Sequence, residues 1–202
     1  MMSSQEELQK IRQDILDKLS CPLKDAATNM VFGKGNPQAK IFFVGEAPGE
    51  QEDLQGLPFV GRAGKELDKL LHTIGLTISD VYIANILKYR PPKNRNPTAQ
   101  EMLSHTPYLV RQIKAVNPRV IVTLGNFSTR FVLNDFCVKG MNKIEGISLL
   151  HGQKKEIKID DKQYVIIPLY HPAAMLYRPQ LREVMKKDFK KIQTIIKSSS
   201  NN

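Results

Sequence analysis

The chain has 202 residues, 30 Lys and Arg against 20 Asp and Glu for a net charge of +10, 41% hydrophobic residues and two cysteines. That is the profile of a soluble globular chain long enough to bury a core without staples. Its apolar runs, such as Ile41–Val44 and Val165–Leu169, are too short to cross a bilayer, and the charged first twenty residues do not read as a secretory signal. A cytoplasmic protein with no membrane partner is expected, a single domain over 1–202. Cys21 and Cys137 stand far apart with no C-x-x-C, which excludes a four-thiolate site built from this chain alone, and the excess positive charge points to a polyanionic partner.

In chain order, Leu8, Ile11, Ile15, Leu16 and Leu19 fall at helical spacing and predict a leading helix within 1–20, followed by a loop rich in Gly and Pro. Four short segments rich in β-branched and aromatic residues then recur at Ala39–Val44, Val81–Leu87, Arg119–Leu124 and Gln163–Leu169. Helical patterns lie between or after them at Ala63–Ile74, Thr98–Ala115, Phe127–Leu133 and Gln180–Ile196. Thr98 and Glu101 have capping-box spacing, and Pro107 is expected to distort the middle of that helix. Residues 138–162 read as a hairpin-like or exposed excursion and 198–202 as a frayed tail. Strands alternating with helices predict an α/β fold, a three-layer α/β/α sandwich on a central four-stranded parallel sheet.

Ligands of such sheets bind beyond the carboxyl ends of the strands. The four segments there are Gly45–Asp53, Asn85–Pro92, Gly125–Ser128 and Tyr170–Leu176, and together they offer carboxylates, an amide, helix-start amides and an imidazole. Singly, each residue has a bland alternative: Asn85 as a turn former, His171 as a structural hydrogen bonder, Met175 and Leu176 as core. The first loop has no Walker lysine and no G-x-G-x-x-G, which argues against a nucleoside triphosphate.

The combination is more specific. GEAPGEQEDLQGLPFVGRAGKELDKLL from Gly45 to Leu71, ANILKYRPPKNRNPTAQE at Ala84–Glu101, NPRVIVTLG at Asn117–Gly125 and YHPAAML at Tyr170–Leu176 occur in one order. Together they resemble the conserved blocks of family-4 uracil-DNA glycosylases. The resemblance implies a monofunctional enzyme that flips uracil out of single- or double-stranded DNA and hydrolyses its N-glycosidic bond. It also implies the roles: His171 as the electrophile facing the leaving base, Asn85 as the base reader, and Phe59 as the stacking aromatic. Gly45, Glu46 and Ala47 line the uracil pocket, and Glu52, beside Asp53, is a candidate for placing water. Arg62, Ser128, Met175, Leu176 and Arg178 fall where DNA is held or wedged. Two other readings stay open: a catalytically weak nucleic-acid-binding module, and a glycosylase for hypoxanthine or xanthine. A monomer is expected.

One departure stands out. Family members carry an iron–sulfur cluster on four cysteines, and the matching positions here hold Lys18, Cys21, Tyr89 and His105. One thiolate with one histidine does not hold a cubane cluster, so neither a cluster nor another metal is expected.

Overall fold

The computed structural model describes residues 2–198. Its first half runs α1 (Ser4–Lys18), α2 (Pro22–Ala26), β1 (Lys34–Gly35), β2 (Ile41–Gly45), α3 (Glu50–Gln55), α4 (Arg62–His72) and β3 (Tyr82–Asn85). Then come α5 (Ala99–Val116), β4 (Val120–Leu124), α6 (Asn126–Leu133), α7 (Ile147–Leu150), β5 (Lys155–Ile159), β6 (Lys162–Leu169), α8 (Ala174–Tyr177) and α9 (Leu181–Ser198). Of the tail expected to fray, Ser198 closes α9 and 199–202 lie outside the described residues. No helix among the described residues is long and apolar enough to cross a membrane.

The helix starts follow from local chemistry. Ser3 and Glu6 close a capping box on α1, and Thr98 and Glu101 close one on α5, each satisfying amides that the first turn leaves without partners. Pro107 lies inside α5 without ending it. Pro107 and Leu103, whose carbonyl loses its i+4 donor, both face solvent, where water can replace the missing bond.

The strands form one sheet in the order β1-β3-β2-β4-β6-β5. The central four, β3, β2, β4 and β6, are parallel, and β1 and β5 add antiparallel edges. The expected four strands are therefore the middle of a six-stranded, mostly parallel sheet. The excursion at 138–162 supplies the last strand, since β5 turns back at Asp160 and Asp161 to pair with β6.

Each central strand is buried on both faces, so its apolar residues run without polar alternation. In β2, Phe42 and Val44 join a core with Leu8 and Ile11 of α1 and Leu109 and Ile113 of α5. Ile41 and Phe43 point the other way, into a core with Leu67 and Leu71 of α4 and Met185 and Phe189 of α9. Helices thus cover both sides of the sheet. Strand order reverses at β2, because β3 lies on one side of it and β4 on the other. That reversal separates the following loops and opens a crevice at the strands' carboxyl ends.

Candidate active site

Register aligns the strand ends that matter. Gly45 pairs with Asn85, and the ladder continues past the strands as Ile86 N donates to Gly45 O (3.0 Å) and Leu87 N to Glu46 O (3.1 Å). Asn85 is 1% exposed, and its Oδ1 has no hydrogen-bond partner among the described residues. A buried acceptor left open costs about 1–3 kcal/mol, so an orphan of this kind needs a reason. It lines a cleft of about 450 Å³, together with Glu46, Ala47, Phe59 and His171. Gly45 keeps that slot clear, since a Cβ there would sit 2.2 Å from Asn85 Oδ1 and 3.0 Å from the Phe59 ring.

Phe59 is held in an unusual backbone state, with φ at +52°. Glu52 stabilises the loop behind it, its Oε1 accepting from Val60 N (3.0 Å) and Gly61 N (2.8 Å). Lys34 Nζ donates to Phe59 O from the other side at 3.1 Å. Gly64 lets α4 pass beneath, because a Cβ there would fall 1.9 Å from the Phe59 carbonyl oxygen. The Phe59 and His171 rings stand 5.7 Å apart between centroids at 32°, two walls of one slot.

The chemistry of His171 is fixed by its surroundings. Ala173 N donates to Nδ1 (3.2 Å), which places the ring proton of the neutral imidazole on Nε2. Burial lowers its pKa to about 4, against a smaller upward pull from Glu52, so the ring is neutral at pH 7. Gly125, at φ +97°, leaves room for it, with its Cβ position 3.2 Å from His171 Cβ. Burial also pushes the Glu46 carboxyl above its usual value. A neutral N–H donor, an open amide acceptor and an aromatic face thus converge on a cleft wide enough for a planar heterocycle.

The structure brings Gly45, Glu46, Ala47, Glu52, Phe59, Asn85 and His171 together, and it takes the Met175 side chain away from the surface. Ser128 is buried, and its hydroxyl donates to Leu124 O (2.8 Å) at the end of β4, which leaves its backbone amide in the first turn of α6 as the group it can offer to a phosphate. Met175 is 2% exposed and packs in the core beside Leu169 and Phe189. Of the loop after His171, it is Tyr177 that stands out, at 79% exposure. Leu176 is half-buried, and Arg62, the first residue of α4, and Arg178, which closes α8, are exposed. Asp53 faces away, accepting from Thr28 N and Asn29 N and anchoring the loop before β1.

Sequence reasoning did not pick out Lys34, Gly64, Arg95 or Lys88. Arg95 lines the cleft and forms a two-armed ion pair with Glu101 (2.9 and 2.5 Å), which ties the loop after β3 to the first turn of α5. Its signal was the capping box, whose Glu was already in view.

The positions that match the family's cluster ligands do not fit such a group. Cys21, Tyr89 and His105 are buried, with Cys21 and Tyr89 in one apolar core. Lys18 turns outward to Asp14 (2.6 Å) and is 70% exposed at its side chain. His105 Nδ1 hydrogen-bonds to Glu101 O (2.7 Å), and its ring meets Tyr89 edge-on at 6.3 Å. A thiol, a phenol, an imidazole and an outward ammonium are not the four thiolates a cubane cluster requires. No cluster of three or more His, Cys, Asp or Glu among the described residues is placed to hold a metal.

A family model described as the uracil DNA glycosylase superfamily matches residues 32–196. The type-4 uracil-DNA glycosylase of Archaeoglobus fulgidus is 49% identical over 93% of this chain and 92% of its own length. Its counterparts in Sulfurisphaera tokodaii (44% identical, over 93% of this chain and 84% of that protein) and Thermotoga maritima (40% identical, over 97% and 98%) match as broadly. Fold, cleft and sequence agree: this chain belongs to the uracil DNA glycosylase superfamily.

Proposed function

We propose that this chain is a monofunctional uracil-DNA glycosylase, working as a single-domain monomer without an iron–sulfur cluster or other metal. The observation that carries the reading is the open Oδ1 of buried Asn85, set in a slot walled by Phe59 and neutral His171. Uracil presents an N3–H donor beside its O4 acceptor. Asn85 Oδ1 accepts from the first and its amide N–H donates to the second. Cytosine offers an acceptor at N3 and a donor on its exocyclic amine, so both contacts fail and buried polar groups are left unpaired.

The base must first leave the stack. Tyr177 and half-buried Leu176 are the side chains after His171 that face outward, and Arg62 and Arg178 lie where they can hold phosphates, on either single- or double-stranded DNA. Phe59 then receives the extruded base, a stacking contact typically worth about 1–3 kcal/mol.

As the bond between N1 and C1′ breaks, its electron pair moves into the uracil ring and positive charge develops on the sugar. The Nε2–H of His171 donates to the uracil carbonyl oxygen and stabilises the departing anion. Water adds to C1′ and gives up a proton, the uracil anion takes one up, and the products are uracil and an abasic sugar. Glu46 lines the cleft with a carboxylate to orient that water and balance charge on the sugar, whereas Glu52, which also lines it, gives its Oε1 to the Val60 and Gly61 amides and supports Phe59. Ala47 supplies no carboxylate, so stabilisation of charge carries more of the rate than a strong general base does.

The test is release of free uracil from a uracil-containing oligonucleotide, with thymine and cytosine substrates as controls. Uracil release alone, leaving an alkali-labile site, supports the reading. DNA binding without release overturns it in favour of a binding module, and release of hypoxanthine or xanthine instead redefines the substrate. Iron and sulfide in the purified protein, with absorbance near 400 nm as in iron–sulfur proteins, would overturn the metal-free part.

A further inference from the structure

Lys88 is fully buried, and the proposed chemistry does not use it. Its Nζ donates to the main-chain carbonyl of Asn85 (2.6 Å) and to Gln112 Oε1 (2.6 Å), with no carboxylate against it among the described residues. Stripping an amine of water without an opposite charge is expensive, and methionine or leucine would fill the same volume at lower cost. Packing alone therefore does not account for it.

Its placement does. The peptide joining Asn85 to Ile86 is gripped from both sides, its N–H by Gly45 O (3.0 Å) and its carbonyl by Lys88 Nζ. Fixing that peptide plane fixes ψ of Asn85, and with it the direction in which the side chain leaves the end of β3. The grip is braced from outside the site. Gln112 on α5 passes its own amide N–H to Phe32 O (3.0 Å), and Val31 N donates to Lys88 O (2.8 Å). We infer that Lys88 is a positioning residue, whose buried amine holds the Asn85 peptide so that the Asn85 side chain meets the uracil edge at the angle its two hydrogen bonds need.

Two further features agree. Burial lowers the amine's pKa to about 7, and either protonation form has enough N–H bonds for the two acceptors it meets. The titratable group that feels its charge is His105, whose ring is itself held neutral by burial.

The inference rests on the reading of Asn85 as base selector, and its test separates the two. Single-turnover uracil release and DNA affinity are measured for wild type, Lys88→Met, Gln112→Leu, Asn85→Ala and Lys88→Met with Asn85→Ala. Misplacing a reacting contact by about 1 Å costs up to about 100-fold, so Lys88→Met should slow release by about 10- to 100-fold while DNA affinity changes by no more than about twofold. Selectivity for uracil over cytosine should fall with it. In the Asn85→Ala background the same substitution should change the rate by less than about twofold, because the partner it acts through is gone. A folded Lys88→Met protein that works at the wild-type rate, or a loss that persists undiminished without Asn85, overturns the inference. If Lys88→Met does not fold, Gln112→Leu is read in its place, with a smaller loss that again vanishes without Asn85. Should wild type release no uracil, the functional reading fails by itself. The tether is then judged by the Asn85 side-chain amide NMR signals, which shift in the variant if Lys88 holds Asn85 and stay in place if it does not.

Discussion

Asn85 and His105 each bury a polar atom that finds no partner among the described residues, Oδ1 in one and Nε2 in the other. Their surroundings differ in every other respect. Asn85 ends a central strand, borders the cleft and is kept clear by Gly45. His105 lies within α5, spends Nδ1 on the carbonyl of Glu101, and has the Tyr89 ring packed against its edge. The same local defect thus borders an open cleft in one place and lies against packed side chains in the other. What separates them is whether space of ligand size adjoins the open atom.

The sharpest way to break that comparison is to remove the cleft imidazole and the buried one in turn. His171→Ala should slow uracil release by about 10²–10³-fold, the usual loss when one donor to a developing anion is removed, with little change in DNA affinity. His105→Phe should leave release within about threefold of wild type, since His105 does not line the cleft and the larger ring acts mainly on stability. Equal losses in a single-turnover assay would mean that His105 belongs to the site after all.

Gly45→Ala comes next. Its methyl group would lie 2.2 Å from Asn85 Oδ1, and Phe59, fixed by Glu52 and Lys34, gives the amide little room to retreat. An overpacking cost of about 3 kcal/mol set against uracil binding is about 100-fold in release rate. Thermal stability should fall as well, because the methyl meets Asn85 Oδ1 and the Phe59 ring in the free protein. A variant that loses stability but keeps its rate would show that the slot is not where the base binds.

The sequence carried the parts of this picture that depend on local pattern. The four central strands are unbroken apolar runs because both faces are covered, and Asn85 and His171 were in view because strand ends are where α/β sheets bind ligands. The edges were harder to read. β1 is only two residues long, and β5, Lys-Glu-Ile-Lys-Ile, lies in the stretch read as a hairpin-like or exposed excursion, where its alternation identifies a strand only once it is matched to β6. For Met175 the core alternative is the one the fold takes: it lies near the cleft in sequence, but its side-chain direction sends it into the core. The support given by Glu52 was invisible for a related reason, since its partners are amides of a turn that forms only in the fold.

The smallest expected effect concerns pH and stability. Burial lowers the pKa of both His105 and His171 to about 4, whereas an exposed imidazole titrates near 6.5. Above that value neither the folded nor the unfolded chain holds these protons, and the two histidines add no pH dependence. Between pH 6.5 and 4 the unfolded chain takes up protons that the folded one refuses, so stability falls as pH falls, and below 4 the loss is complete. Each imidazole should contribute roughly 2 kcal/mol of lost stability between pH 7 and pH 5. Glu101, held near 2 by the Arg95 guanidinium, stays ionised throughout that window and does not confuse it. His105→Phe removes one of the two contributions, so denaturant melts at pH 7 and pH 5 should show a gap about 2 kcal/mol narrower than in wild type. An unchanged gap would mean that His105 accepts its proton in the folded state, and that Nε2 finds a partner which the packing around Tyr89 does not provide.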